Sequence, residues 1–374
     1  MASVKERRRF LKYLASLSAF GSGSLFSFKR GGRSGTPQGV FGATAQATEG
    51  IRGNAAYSGK IVAVEEHVTT EKTLAAAASK IASGKKFDLP IPTTPSAHAR
   101  TIFSEKRLTD MDSAGIDMQV LSPLPFHEGF DAVEGLSMSR ITNDEISGII
   151  RKYPERFAGL AGLAAQDPEG AAGELERAVT ELGLKGGIVY SHIKGEYLDD
   201  QKFWVIFETA EKLGVPIYLH PKEPSPQMIK PYQAYPGLDG AMWGYAAEAG
   251  LHAMRLICSG VFDRYPNLKI ILGHLGESLP YWLWRMDQHA VDMPATRKPG
   301  FYVKNNFYVS TSGMFWPPAI QFACTALGVD RVLFAVDYPS ESNIEAVGAI
   351  NALSVSRPEK ERIFYRNAET LFRL

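Results

Sequence analysis

The chain has 374 residues, 45% of them hydrophobic, and its 41 Lys and Arg nearly balance its 40 Asp and Glu, which leaves a formal net charge of +1 at pH 7. This length suits one large α/β domain or two ordinary ones, and the apolar content is typical of a globular protein. The charge balance argues against a nucleic-acid surface, and no segment is long and apolar enough to predict a membrane span.

The first 45 residues differ in composition from the rest. Arg7-Arg8-Arg9-Phe10-Leu11-Lys12 precedes a mildly apolar segment, and Ala43-Thr44-Ala45 has the A-x-A pattern of a cleavage site. This arrangement resembles a twin-arginine signal, which implies the twin-arginine export machinery as a partner and a periplasmic location. A disordered basic tail on a cytoplasmic protein is the alternative. We exclude residues 1–45 from the fold, treat 46–58 as a linker and assign 59–374 to the folded domain.

After residue 57, short apolar runs of β type alternate with longer amphipathic runs of helical type. The predicted strands are 60–65, 118–122, 157–161, 186–190, 216–219, 269–272, 307–310 and 331–335. The predicted helices include 168–183, 200–213, 277–288 and 317–327. Eight buried-type strands, each followed by a helix, predict the α/β class and a (β/α)₈ TIM barrel. Long loops are predicted at 68–105 and 221–240, and both lie on the face where barrel enzymes carry their active sites.

Polar residues stand at the end of the first predicted strand, in the sequence Glu65-Glu66-His67. Because side chains alternate along a strand, Glu65 and His67 are expected to point to one side and Glu66 to the other. A carboxylate and an imidazole on the same side can both bind a divalent metal, although a solvated strand end is an equally plain explanation of this triplet alone.

Three later strands also end in residues of ligand or acid/base type, namely His220, His274 and Asp337. The carboxyl ends of parallel strands meet on one face of a barrel, so these side chains are expected to converge with Glu65 and His67. Glu65, His67, His220 and Asp337 supply two oxygens and two nitrogens, which predicts one divalent ion, Zn²⁺ or alternatively Mn²⁺. His274 remains as the acid/base residue.

Several segments carry a family resemblance: 59–67, Tyr218-Leu219-His220-Pro221, 271–277, 280–285, Thr311-Ser312-Gly313 and 331–339. From about residue 60 onward the chain resembles the amidohydrolase-related enzymes of the aminocarboxymuconate-semialdehyde decarboxylase type, and most of all the γ-resorcylate (2,6-dihydroxybenzoate) decarboxylase branch. The resemblance implies an amidohydrolase-type barrel and a homo-oligomer, either a dimer or a tetramer.

The resemblance also implies roles for individual residues. Glu65, His67, His220 and Asp337 are implied to be the metal ligands. His274 and Glu277 are implied to act beside the substrate, and Arg285 to bind its polar groups. The first motif in this chain is Glu-x-His, as in the decarboxylase branch. The wider superfamily usually has His-x-His at this position.

The predicted reaction is the decarboxylation of a small aromatic acid of hydroxybenzoate type. The metal chelates the substrate, and Asp337 and His274 handle the proton. Hydrolysis by a metal-activated water is the alternative, because the same ligands support it. A non-catalytic barrel ranks last, since no polar strand end is missing.

The particular acid is left open, because residues 190–197 depart from the resorcylate enzymes. His192 in this segment is expected either to contact substrate or to lie in a solvated loop. No role is assigned to His98, His127, His252 and His289. Cys258 and Cys324 lie among apolar residues and are expected to be buried free thiols.

Overall fold

The computed structural model describes residues 57–87 and 102–374. The strands are β1 (Val62–Val68), β2 (Met118–Pro123), β3 (Phe157–Gly159), β4 (Ala161–Gly162), β5 (Gly187–Tyr190), β6 (Ile217–His220), β7 (Ile270–Leu272), β8 (Phe307–Ser310) and β9 (Val332–Leu333). They form the sheets β1-β2-β3 and β4 to β9, in which every neighbouring pair is parallel. β3 and β4 are two halves of one barrel strand, separated only by Leu160.

The two sheets close into one barrel between β1 and the chain after β9. The N–H of Val64 donates to the carbonyl of Phe334 at 3.0 Å, and the N–H of His67 donates to that of Tyr338 at 2.8 Å. The N–H of Asp337 returns a bond of 3.0 Å to the carbonyl of Glu65. The predicted eight-stranded α/β barrel is therefore confirmed.

The helices cover the outside of this barrel. They are α1 (Glu71–Ala82), α2 (Lys106–Ala114), α3 (Ala132–Lys152), α4 (Pro168–Thr180), α5 (Trp204–Leu213), α6 (Gly244–Ser259), α7 (Val261–Arg264), α8 (Leu279–His289), α9 (Pro299–Asn306), α10 (Pro317–Leu327), α11 (Asn343–Asn351), α12 (Arg357–Glu361) and α13 (Asn367–Phe372). Short 3₁₀ segments lie at Phe126–Gly129, Gln201–Phe203, Tyr232–Ala234 and Val329–Arg331, and a π turn at Arg362–Arg366 joins α12 to α13.

One predicted loop contains a helix. Part of the long segment after β1 forms α1, and its first turn is capped by the Thr70 hydroxyl, which accepts the N–H of Thr73. A threonine at the N-cap followed by an alanine-rich run is a helix signal that the loop assignment overlooked. Helix α1 packs on α3 through Leu74, Ala77 and Ile81, which are buried.

The barrel interior is filled by side chains from alternate strand positions. Val62, Val120, Ile188 and Ile271 belong to this interior cluster, and Phe372 of α13 joins it from the N-terminal end of the barrel. A larger apolar cluster lies between strands and helices. The filled interior leaves the opposite, C-terminal end as the place where polar side chains can gather.

The chain ahead of the barrel is described only from residue 57. The leader, 1–45, lies outside the described residues, as does most of the linker. Tyr57 already packs on the domain, with its ring 4.7 Å from that of Phe364 and its N–H bonded to the Asn351 side chain. Within 57–87 and 102–374, no helix has both the length and the apolarity to cross a membrane. Cys324 is buried and Cys258 is only half-buried, and both are free thiols.

Candidate metal centre

A bulge in β1 aims the first two candidate ligands at the barrel axis. Ala63 pairs with Gln119 but Glu66 pairs with Leu121, so β1 carries one extra residue over this interval. Val62 and Val64 belong to the interior cluster ahead of the bulge. If side chains alternated strictly, Glu66 would be the next one after Val62 and Val64 to point into the barrel. The extra residue shifts the alternation, so that Glu65 and His67 point inward instead. Bulges commonly re-aim side chains beside active sites.

Three of the four predicted ligands form a group that can hold a metal ion. Glu65, His67 and His220 are buried, and each offers a ligand atom within 4.8 Å of the others. They come from the carboxyl ends of β1 and β6, which face the same end of the barrel. This convergence was predicted from the strand ends.

The hydrogen bonds of His220 and Glu65 leave two electron-rich atoms facing each other. Nδ1 of His220 lies 2.7 Å from the Pro221 carbonyl, which only accepts, so Nδ1 carries the proton and Nε2 has a lone pair. Oε2 of Glu65 accepts from the hydroxyls of Tyr218 and Ser310. Oε1 is buried without a hydrogen bond, 3.2 Å from His220 Nε2.

This arrangement fits a cation. A buried lone pair and a buried carboxylate oxygen repel each other unless a positive charge lies near both. Two ligand atoms bound at about 2.1 Å to one ion lie about 3.0–3.4 Å apart, and the observed Glu65–His220 separation falls in this range. The residues present therefore suit a divalent metal.

Asp337 lies beside this group and joins it to His274. Its Oδ1 is 3.1 Å from His67 Nε2, and its Oδ2 is 4.0 Å from His274 Nε2. On the other side of His67, the Tyr190 hydroxyl lies 3.5 Å from Nδ1 and donates to the Pro123 carbonyl at 2.8 Å. His67 is thus held between Tyr190 and Asp337 with Nε2 toward the candidate metal position.

The site separates charge into ionised carboxylates and a protonated imidazole. Burial alone raises the pKa of Glu65, but the positive charge of His274 outweighs it, and the pKa is lowered to about 2. Burial also opposes ionisation of Asp337, yet the neighbouring His274 and His67 rings lower its pKa. For His274 burial favours the neutral ring, and the Glu277, Glu65 and Asp337 carboxylates raise its pKa well above the usual value. The arrangement can hold a cation next to a proton donor.

His274 and Glu277 occupy a left-handed turn between β7 and α8. All five residues from His274 to Ser278 have φ between 49° and 81°. The turn brings His274 Nδ1 to 2.8 Å from Glu277 Oε1. A Cβ on Gly276 would lie 2.8 Å from the Val309 side chain, so this position requires glycine.

Two predicted site residues lie elsewhere or act differently. Arg285 is exposed on α8, and no hydrogen bond or ion pair joins it to another described residue, so its role in substrate binding stays a prediction. His192 is buried, where a solvated loop was one expectation. Its Nδ1 accepts the N–H of Gly195 and its Nε2 donates to the Glu223 carbonyl, so both nitrogens brace the loop.

Residues that orient the ligands were missed by the sequence analysis. Tyr218 and Ser310 hold Glu65, and Tyr190 lies with its ring 4.5 Å from that of His220. The alternation along β6 contained a signal for Tyr218, because it lies two residues before His220 and must face the same side. Ser310 is the polar last residue of the predicted strand 307–310, a signal that the sequence analysis did not use.

Comparison with known proteins agrees with this geometry. The family model described as Amidohydrolase matches residues 88–374, and the chain belongs to this family. Its resemblance to the decarboxylase branch is also confirmed. The γ-resorcylate decarboxylase of Polaromonas sp. is 37% identical over 332 residues, which cover 85% of this chain and 99% of the relative.

Two solved structures are similar over most of the chain. The 5-carboxyvanillate decarboxylase from Sphingomonas paucimobilis has a TM-score of 0.77 at 35% identity, covering 84% of this chain and 99% of the other. A dihydroxybenzoic acid decarboxylase from Polaromonas sp., with bound manganese and the inhibitor 2-nitroresorcinol, has a TM-score of 0.76 at 36% identity and covers 84% and 97%.

Proposed function

We propose that this chain is a metal-dependent decarboxylase that releases carbon dioxide from a small aromatic acid of hydroxybenzoate type. The observation that carries the proposal is the pairing of a candidate metal centre with an acid/base group, His274, whose Nε2 is 4.0 Å from Asp337 Oδ2. The similar proteins described above are decarboxylases, which favours this reaction over hydrolysis.

Each site residue has a part in the proposed reaction. Glu65, His67, His220 and Asp337 would hold a divalent ion, which would supply Lewis-acid chemistry to the substrate acid. His274, hydrogen-bonded to Glu277, holds a proton beside Asp337. This pair delivers the proton to the ring carbon that bears the carboxylate. Breaking the carbon–carbon bond then returns its electron pair to the ring and releases carbon dioxide, and the pair regains a proton from water.

The test is carbon dioxide release by the purified full-length chain over a panel of hydroxybenzoates, with and without removal of metal by a chelator. We expect release from at least one 2-hydroxybenzoate, loss of activity on chelation and recovery on adding Mn²⁺. Turnover of a carboxylic ester or amide, without release from any hydroxybenzoate, would instead support the hydrolase.

We propose a single resident ion per chain, Mn²⁺ or Zn²⁺. The donor set of two imidazoles and two carboxylates suits both ions, and manganese in the related Polaromonas structure favours Mn²⁺. Metal analysis should find about one ion per chain, lost in His67→Ala and His220→Ala. Two ions per chain, or unchanged content in both variants, would contradict this assignment.

We also propose that the chain forms a homo-oligomer through α8. Tyr281 and Trp284 on this helix are 72% and 74% exposed, and the Tyr281 ring lies 5.7 Å from Trp282 and 6.0 Å from Phe322 of α10. Large aromatic side chains bury about 150–250 Å² each, so four of them supply much of the about 800 Å² per partner of a standard interface.

Sedimentation measures this state directly. We expect a dimer or tetramer at micromolar concentration, weakened by Trp284→Lys and unaffected by Val133→Lys, a change at a similarly exposed apolar residue on α3. A monomeric wild-type chain, or equal effects of both variants, would contradict the α8 interface.

For location, we propose export through the twin-arginine route, supported by Arg7-Arg8-Arg9-Phe10-Leu11-Lys12 and Ala43-Thr44-Ala45. Cell fractionation should find the protein in the periplasm, cut near Ala45, and Arg7→Lys with Arg8→Lys should retain it inside. An intact N-terminus on cytoplasmic protein would contradict export.

A further inference from the structure

Glu66 lies between two candidate ligands in sequence but on the outer side of β1. Its carboxylate is fully buried and accepts the N–H of Val336 at 3.0 Å and that of Tyr338 at 3.3 Å. These two N–H groups flank Asp337, whose φ of 74° is in the left-handed region. Glu66 therefore holds the backbone on both sides of a residue whose conformation is unfavourable outside glycine.

Arg107 of α2 reaches the same place from the other side. One guanidinium nitrogen donates to Gln119 Oε1 at 3.0 Å, and Gln119 Nε2 donates to Glu66 Oε2 at 3.2 Å. The other donates to the carbonyl of His67. Because arginine only donates and a carboxylate only accepts, the Gln119 amide has one orientation that satisfies both neighbours.

The network continues to the residue after Asp337. The Arg107 guanidinium stacks over the Tyr338 ring at 4.5 Å from its centroid, and the Tyr338 hydroxyl donates to Asp110 of α2 at 2.8 Å. Glu66, Gln119 and Arg107 are all buried. Two of the three chain segments that carry candidate ligands, 65–67 and 336–338, are thus bonded to the same polar group.

We infer that Glu66 and Arg107 are positioning residues for the metal centre: they hold the end of β1 and the Asp337 turn at the separation that binds the ion. The inference rests on the proposed function, because it requires the metal centre. If these residues had a purely structural role, replacing them would change only the stability of the barrel. If they position the ligands, replacing them changes the affinity of the site for metal.

The test is a titration of metal-stripped full-length protein with Mn²⁺, in which the paramagnetic resonance of free Mn²⁺ gives the Kd. Glu66→Gln keeps the shape but loses one acceptor, and we expect Mn²⁺ to bind about 10–100-fold more weakly, as for other groups that orient ligands. Arg107→Lys loses one of two donated bonds and should weaken binding in the same direction.

Asn306→Ala is the matched control for stability. Asn306 is buried at the opposite end of the barrel, where its amide donates to the Pro266 and Leu268 carbonyls. This variant should unfold at lower urea concentration but keep the wild-type Kd to within about twofold.

The outcomes separate the two proposals. A wild-type chain that binds no Mn²⁺ or Zn²⁺ overturns the metal centre itself. A wild-type chain that binds Mn²⁺, with the same Kd in Glu66→Gln, overturns only the positioning role, and so does an equal loss of affinity in Asn306→Ala. If Glu66→Gln does not fold, the same comparison with Arg107→Lys decides.

Discussion

At the scale of single residues, the proposed roles divide into metal binding and proton transfer. Glu65, His67 and His220 surround one position, while His274 lies on the far side of Asp337 from His67. Asp337 belongs to both parts, because one of its oxygens faces the candidate ligand His67 and the other faces His274. Substitutions at His274 and Asp337 should therefore have different consequences.

We predict that His274→Asn keeps the metal and the fold but loses most of the rate. General acid–base groups contribute about 10²–10⁴-fold, so the activation barrier should rise by about 3–5 kcal/mol. The measurements are kcat at saturating metal and the metal content of the purified variant. Loss of the metal in this variant would show that His274 is a ligand.

Asp337→Asn should weaken both metal binding and turnover. The amide lacks the negative charge that faces the His67 and His274 rings. Metal titration alongside kcat measures the two effects separately. Full metal affinity with full activity in Asp337→Asn would contradict both assignments of this residue.

The sequence predicted that these residues would converge, but it did not predict the contacts that surround them; their roles stay predictions. Polar strand ends marked Glu65, His67, His220, His274 and Asp337, because parallel strands of a barrel end on one face. The bulge that turns Glu65 inward depends on pairing with β2, and the support from Ser310 depends on distant strands. Such contacts between remote segments leave no local pattern.

At the scale of elements, the left-handed turn from His274 to Ser278 explains why one predicted helix begins too early. Helix 277–288 was predicted, but α8 begins at Leu279 because Glu277 and Ser278 have positive φ. For β1 the predicted end came too early: the prediction was 60–65, whereas the strand runs to Val68. Polar side chains suggested its end, whereas pairing with β2 continues to Pro123.

We predict opposite effects for the same substitution in two elements. Gly276→Ala in the turn adds a Cβ 2.8 Å from Val309 at φ 81°, and should destabilise the protein by about 1–3 kcal/mol and reduce the rate. Gly148→Ala in α3 meets no atom within 4 Å and should stabilise it by about 0.5–1 kcal/mol. Urea unfolding measures both, and equal signs would contradict the strain assigned to the turn.

The barrel as a whole was predicted because its strands and helices alternate in a regular order. The last strand was overextended at 331–335, since regular pairing with β8 covers only Val332–Leu333. Beyond it, side chains replace strand partners: Thr311 accepts the N–H of Ala335, and Glu66 accepts that of Val336. An apolar stretch of sequence does not indicate whether its backbone N–H groups will bond to a neighbouring strand or to side-chain oxygens.

At the scale of the whole molecule, buried neutral histidines should make the fold sensitive to acid. Burial lowers the pKa of His127 and of His252 to about 3. The unfolded chain binds protons at these rings near pH 6.5, before the folded chain does. The contribution of these two rings to stability should therefore be constant above this pH and should fall below it, by about 1.4 kcal/mol per pH unit for each histidine.

His127→Met isolates one of these rings without changing the metal site. The free energy of unfolding is measured in urea between pH 6 and 5. Its slope against pH should be smaller in this variant than in the wild type, and the difference should be about 1.4 kcal/mol per pH unit. The same slope in wild type and variant would show that His127 is protonated in the folded protein.

In the proposed reaction, the protein replaces an aromatic carboxylate by a proton with the help of a bound metal. The most direct measurement is turnover of an active 2-hydroxybenzoate in D₂O by the metal-loaded chain, with carbon dioxide and ring deuterium counted together. We expect one carbon dioxide and one deuterium at the vacated ring carbon per turnover, and neither after complete removal of metal. Release that continues without metal, or no release from any hydroxybenzoate, would contradict the account.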